Sequence, residues 1–309
     1  MTTTNNLRYR IGVDLGGTNI AAGIVADNGT IFAKSSVRFV LGCSQQELAD
    51  SIAAQCRNLV AGAGLGMEQI EGIGIGAPGL LDPPRGLILR AFNLGLENMS
   101  VSHLVGRVLN KSVRLANDAN CAALGEAAYG AAKNTRHSVT VTLGTGIGGG
   151  IIIDGKIYDG AFFSAGELHQ VIRADGELCT CGRRGCWEAY VSAGALVRQA
   201  VQASGGANFT AKMVFEAAEA NVPWAVQVVG TYLDNLAIGL GNIVNILQPE
   251  VVVLGGGMAG YGKPLLDGLA ARMPSHVFNG DVQTRFVLAK LGNDAGIVGA
   301  ALLHTDLQS

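Results

Sequence analysis

Twice along this chain a short apolar strand runs into a glycine turn and leaves it as another apolar strand, and this repeated unit constrains the fold more than any other feature. The first copy is residues 10–13, the turn Asp14-Leu15-Gly16-Gly17-Thr18-Asn19, and residues 20–25, with Asn28-Gly29 making the next turn. The second is residues 138–143, a glycine turn over 144–150, and residues 151–154. Short β-type runs bounded by glycine are hairpin signals. One supersecondary unit placed early in each half reads as an internal duplication. A third glycine run, Gly255-Gly256-Gly257, follows the apolar residues 251–254 and leads into a helical segment.

Helical spacing of Leu48, Ile52, Ala53, Cys56, Leu59 and Val60 predicts a helix over 45–62, and residues 70–77 read as a buried strand ending at Pro78-Gly79. A helix over 101–109 leads to a strand at 113–116. A helix over 121–129 follows Asn117-Asp118-Ala119-Asn120. The small-residue helix 296–303 is expected to return and pack on the first domain. With 309 residues, 49% of them hydrophobic, the chain is long for one compact core. We expect a small N-terminal α/β domain (1–117 with 294–309) and a larger C-terminal α/β domain (118–293) that carries a cysteine-rich loop.

Charge excludes one class of partner. The net charge is −2 and neither sign forms a long block, so the basic surface that a phosphate backbone needs is missing and nucleic acid is not expected. Residues 1–10 contain no apolar signal core, and later apolar stretches are short and interrupted, so neither membrane insertion nor export is expected. A soluble cytoplasmic protein fits these features.

A glycine turn lets backbone N–H groups approach phosphate oxygens without Cβ obstruction, and two such turns facing each other can grip a triphosphate. Asp14 beside the first turn would repel phosphate unless a divalent cation, Mg²⁺ above all, lay between them. Thr18 and Thr145 add hydroxyl donors. Neither a G-x-x-x-x-G-K-[ST] loop nor a G-x-G-x-x-G opening a helix after the first strand is present, which removes the main support for a P-loop ATPase or a dinucleotide oxidoreductase. Asp118 begins a helix after a strand, where a carboxylate can serve as a general base; the competing reading is a helix cap. The strongest signal is His169 with Cys179, Cys181 and Cys186, whose donors satisfy a closed tetrahedral Zn²⁺ site of structural type. Such a site would fix the loop carrying Glu167 and Glu188. Cys43, Cys56 and Cys121 read as core or helix residues, and His103, His137, His276 and His304 have no ligand spacing.

Together these segments resemble the ROK family of bacterial sugar kinases and repressors, most closely its ATP-dependent glucokinases. The resemblance covers nearly the whole chain: Asp14 to Asn19, Gly74-Ile75-Gly76-Ala77-Pro78-Gly79, Asn93-Leu94, Asn117 to Asn120, Leu143 to Gly150, Cys179 to Glu188 and Gly255-Gly256-Gly257. It implies an α/β, two-domain actin-like ATPase (ribonuclease H-like) fold with a cleft between the domains, and ATP-dependent phosphorylation of a hexose hydroxyl, glucose to glucose 6-phosphate first. A fructokinase or N-acetylhexosamine kinase is the alternative substrate reading. By the same resemblance Asp118 is the catalytic base. Gly76, Ala77, Pro78, Gly79, Asn93, Asn117, Glu167, His169 and Glu188 would line the sugar site. Asp14, Gly16, Gly17, Thr18, Asn19, Thr145 and Gly146 would serve the phosphates, and Gly256 and Gly257 the adenosine. A homodimer or homotetramer is implied. Family repressors carry an added N-terminal helix-turn-helix, and only ten residues precede Ile11, so the kinase branch is expected.

Two departures bear on the sugar site. The family pattern Glu-x-Gly-His is here Glu167-Leu168-His169-Gln170, one residue shorter, which aligns His169 with the zinc histidine; the other register puts Gln170 there. Phe162-Phe163 stands where glycine is common. Displacement of about 1 Å in such a loop costs on the order of a hundredfold in rate, so a catalytically impaired sugar-binding protein is a third reading.

Overall fold

A computed structural model of the protein describes residues 8–168 and 170–305; His169, the expected zinc histidine, lies outside the described residues. The chain separates into two compact units. One comprises Met1–Arg136, Gly150–Gly166 and Leu291–Ser309, the other His137–Gly149 and Glu167–Lys290.

In chain order the elements are β1 (Tyr9–Leu15), β2 (Asn19–Ala26), β3 (Ile31–Arg38), α1 (Gln45–Gly62), β4 (Ile70–Ala77), β5 (Leu80–Asp82), β6 (Leu87–Ala91), β7 (Leu96–Met99), α2 (Val101–Leu109), β8 (Val113–Asn117) and α3 (Asp118–Tyr129). They continue with β9 (Ser138–Leu143), β10 (Ile147–Ile153), β11 (Lys156–Ile157), α4 (Glu188–Val191), α5 (Ala193–Ser204), α6 (Ala211–Glu219) and α7 (Pro223–Leu247). The last are β12 (Val251–Gly255), α8 (Lys263–Ala270), β13 (Arg285–Leu288) and α9 (Ala295–Leu302).

The first unit is built on a five-stranded sheet of order β3-β2-β1-β4-β8. β1, β2 and β3 form an antiparallel meander, while β4 and β8 join β1 in parallel. Fully buried Ile11, Val13, Ile73 and Ile75 fill the sheet, with Leu48, Ile52 and Cys56 of α1 in the same core. Ser44 starts α1 with a reciprocal cap: its hydroxyl accepts from the Glu47 N–H, and the Glu47 carboxylate accepts from the Ser44 N–H. Helix α9 lies so close to the sheet that a Cβ on Gly12 would sit 1.8 Å from the Ile297 carbonyl oxygen, and one on Gly74 1.7 Å from that of Ala300. Small residues on α9 therefore do what the sequence assigned to the last helix, packing it on the first strands.

The turn expected over 144–150 is shorter than its glycines suggested, because β10 already begins at Ile147. Gly150 lies inside that strand for a packing reason: a Cβ there would fall 2.5 Å from the Ala123 Cβ and 2.7 Å from the Ala119 carbonyl oxygen, both on α3. Helix α3 starts at Asp118, three residues before the expected 121, since the Asn117 side chain caps it by accepting from the Ala119 and Asn120 N–H groups.

A second five-stranded sheet has the order β11-β10-β9-β12-β13. Within the second unit, β12 pairs in parallel with both β9 and β13. The long helix α7 enters with Pro223 in its first turn and buries Tyr232, Leu236, Ala237 and Leu240. Trp187 is fully buried on Gly239 of this helix, where a Cβ would come within 2.1 Å of the indole, and it donates its N–H to the Asn235 carbonyl at 2.9 Å. Among the described residues no helix is long and apolar enough to cross a membrane.

Candidate active site

Three parallel strands of the first unit bring its acidic residues together. Asp14 on β1 is in register with Gly76 on β4, which is in register with Ala116 on β8, so Asn117 and Asp118 emerge one strand beyond Gly76. The carboxyl ends of parallel strands are where open α/β sheets take ligands. Gly76 lets α3 approach: a Cβ would meet the Cys121 sulfur at 3.2 Å and the Asp118 Cα at 3.5 Å. Burial, and secondarily the charge of Asp118, raises the Asp14 carboxyl from 3.8 to about 6. Gly296, in the first turn of α9, completes this corner, since a Cβ there would contact the Asp14 carboxylate at 3.2 Å.

The first glycine turn is closed by the Gly16 N–H donating to the Asn19 carbonyl at 3.0 Å, and the Thr18 carbonyl accepts from the Phe39 N–H at 2.9 Å. Gly17, Thr18 and Asn19 are exposed. At Gly17 an added Cβ would meet only the Asn93 amide nitrogen, at 3.8 Å, so the fold itself does not require glycine there. Asn93 rides on a short helical turn after β6 and reaches the first glycine turn in this way. In the segment Gly76-Ala77-Pro78-Gly79, Gly79 has a φ of +97° and presses against the Arg90 carbonyl oxygen, which a Cβ would meet at 2.3 Å. The cap reading applies to Asn117 and not to Asp118: Asn117 holds the N-cap, leaving Asp118 as the first helical residue, with one carboxylate oxygen accepting from the Ala119 N–H at 2.9 Å.

The second unit contains its own glycine turn. Gly144 closes it by donating to the Gly146 carbonyl at 3.0 Å, and the Gly144 carbonyl accepts from the Ala193 N–H at 2.8 Å. Thr145 at its tip is exposed. Glu188, buried at the start of α4, packs beneath: its Oε2 accepts from the Ile147 N–H at 3.0 Å, and its Oε1 accepts from the Thr180 hydroxyl at 2.9 Å. A Cβ on Gly146 would lie 2.6 Å from that Oε2. Gly256 has a φ of +77° and lies on the end of β9, where a Cβ would meet the Leu143 carbonyl oxygen at 2.5 Å, whereas Gly257 meets nothing within 4 Å. Glu167 is exposed.

Cys179, Cys181 and Cys186 converge, with their sulfur atoms all within 4.8 Å of one another. The loop is tight: the Cys179 N–H donates to the Arg183 carbonyl at 2.8 Å and the Gly182 N–H to the Cys179 carbonyl at 3.0 Å. Hydrogen bonds from the Arg183 backbone and side chain lower the Cys181 thiol to about 6, while burial raises Cys186 to about 11. Three convergent sulfurs fit a thiophilic cation such as Zn²⁺. The remaining cysteines stand apart: Cys56 and Cys121 are buried and Cys43 is half-buried.

Phe162 is 85% exposed, and Phe163 adopts a left-handed φ of +59°. Phe163 lines a cavity of about 590 Å³ in the first unit, beside β8, with Ser102, Arg114, Asn117, Asn120 and Asp159. Three contributors were not singled out in the sequence: Gly296, Thr180 and the Ile147 N–H. Only Gly296 carried a signal, as the first residue of the small-residue helix.

The ROK family profile matches residues 10–306. The glucokinase of Streptomyces coelicolor is 34% identical over 310 residues, covering 94% of this chain and 96% of its own. Among solved structures, a ROK hexokinase from Thermus thermophilus superposes with a TM-score of 0.84 at 33% identity, covering 95% of this chain and 97% of its own. A ROK family glucokinase from Streptomyces griseus, in complex with glucose and AMPPNP, superposes with a TM-score of 0.79 at 34% identity, covering 96% and 98%. The α/β architecture is thus the actin-like ATPase fold of these kinases.

Proposed function

The chain belongs to the ROK family, and from that premise we propose that it is a sugar kinase transferring the γ-phosphoryl group of ATP to a hydroxyl of glucose. The observation that carries this reading is Asp118 at the N-terminus of α3, one strand from Gly76 and two from Asp14, together with near full-length similarity to a glucokinase. In the proposed reaction Asp118, in the first turn of α3, accepts the proton of the attacking hydroxyl. Gly76, Ala77, Pro78, Gly79, Asn93, Asn117, Glu167, His169 and Glu188 are proposed to line the sugar site.

Gly16, Gly17, Thr18, Asn19, Thr145 and Gly146 are proposed to serve the phosphates, with Gly256 and Gly257 at the adenosine. Asp14 fits a role toward Mg²⁺: two neighbouring carboxylates in a poorly solvated corner are relieved by a divalent cation. When bound, that ion would neutralise developing charge on the phosphates. The cysteine cluster is proposed to hold one structural Zn²⁺, with His169 as fourth donor, and the protein to be a cytoplasmic homodimer or homotetramer.

A coupled ADP-release assay with Mg²⁺-ATP against glucose, fructose, mannose, N-acetylglucosamine and N-acetylmannosamine tests the proposal, with zinc quantified on the same sample. Glucose is expected to turn over fastest. Fastest turnover of an N-acetylhexosamine or fructose would reassign the substrate. Binding of glucose without ADP release would favour a protein impaired at the loop that carries Phe162 and Phe163.

A further inference from the structure

Both oxygens of the Glu188 carboxylate are engaged within the second unit. Oε2 accepts from the Ile147 N–H, the first peptide group after the glycine turn, and Oε1 accepts from the Thr180 hydroxyl and, at 3.6 Å, from the Cys179 thiol. Glu188 cannot shift as a whole, because the preceding Trp187 is locked on α7 by Gly239 and Asn235. Its side-chain torsions remain, and the hydrogen bonds at Oε1 set them. Gly146 follows the carboxylate closely, with room for no Cβ. The turn therefore rests on a carboxylate whose orientation depends on a residue of the cysteine loop.

We propose that Thr180 is a positioning residue for the nucleotide side of the reaction. Its hydroxyl fixes Glu188 so that Oε2 stays on the Ile147 N–H, and this holds Gly144-Thr145-Gly146 in the shape that receives phosphate. The cysteine loop then governs ATP as well as the sugar. Hydrogen bonds to charged groups carry more weight than neutral ones, and this one is aimed at a buried carboxylate. Thr180 itself is exposed, so replacing it disturbs no core.

The inference rests on the kinase reading, so its test has an arm that does not depend on turnover. Thr180→Val and Thr180→Ser are compared with the wild type by amide hydrogen exchange at Ile147, by metal content, and by KM for Mg²⁺-ATP and for glucose separately. For Thr180→Val we expect Ile147 exchange and the KM for ATP each to rise about tenfold, with metal content near wild type. Thr180→Ser, which keeps the hydroxyl, should restore both. Unchanged exchange at Ile147 in Thr180→Val overturns the proposal, as does a rise confined to the KM for glucose or a loss of metal that serine fails to rescue. If the protein phosphorylates none of the sugars, the exchange result still decides whether Thr180 braces the turn.

Discussion

The two glycine turns are built from the same strand-turn-strand unit, yet each stands in a different relation to its carboxylate. Beside the first, Asp14 is half-buried, and its loss of solvent, helped by the charge of Asp118, raises it to about 6. Beneath the second, Glu188 is met by a peptide N–H, a hydroxyl and a thiol. The first carboxylate carries an unfavourable loss of solvent and a neighbouring charge; the second has both oxygens hydrogen-bonded within its own unit. The glycines follow suit. At Gly17 an added Cβ would make only an ordinary contact with the Asn93 amide at 3.8 Å, whereas at Gly146 one would collide with Glu188. Repetition of a backbone unit thus does not repeat the surroundings of its carboxylate.

The most damaging test of this contrast is the acid beside Asp14. Asp118→Asn should lower kcat by roughly 100- to 10,000-fold while glucose binding, measured by calorimetry, persists; near-normal turnover would remove Asp118 from the chemistry. Next come the glycines. Gly17→Ala should leave the melting temperature unchanged and raise the KM for ATP several-fold, because the methyl makes only an ordinary contact with Asn93 but would crowd the proposed phosphate site. Gly146→Ala should cost about 1–3 kcal/mol of stability in urea titrations, because the methyl meets Glu188 first. If both variants lost stability equally, the two turns would not differ as described.

A smaller effect separates the carboxylates by pH. Asp14 titrates at about 6 when folded, against an ordinary value of 3.8. Folding therefore takes up a proton between those values: the contribution to stability is fully present below about 3.8 and lost as pH rises through about 6. Asp14→Asn escapes that loss. Without Mg²⁺ or nucleotide, its melting temperature relative to wild type should rise from pH 4 to pH 8, the shift corresponding to at most about 3 kcal/mol. A constant difference across that range would mean that Asp14 is not held in tension.

Much of this was legible because it depends on local pattern. Both glycine hairpins, the 70–77 strand and helices 45–62 and 101–109 follow from apolar spacing and turn residues, and the cysteine cluster from ligand spacing. The second turn was read too long because glycines at 148–150 look like turn residues, whereas Gly150 makes room for α3. That requirement comes from a helix distant in sequence and leaves no local trace. The three-stranded sheet β5-β6-β7 escaped notice because its strands are only three to five residues long. Thr180 was invisible for another reason: a threonine between two cysteines has no pattern of its own, and its role depends on where Glu188 folds back.

The close seat of α9 on the first sheet carries a consequence for synthesis. The bare backbone of Gly12 and Gly74 is covered by Ile297 and Ala300, which leave the ribosome long after the strands they cover. At about 5–20 residues per second that interval is roughly 15 to 60 s. During it the first sheet has a glycine-lined groove with nothing to fill it, and its strands are open to mispairing. The N-terminal unit, although begun first, is therefore finished last.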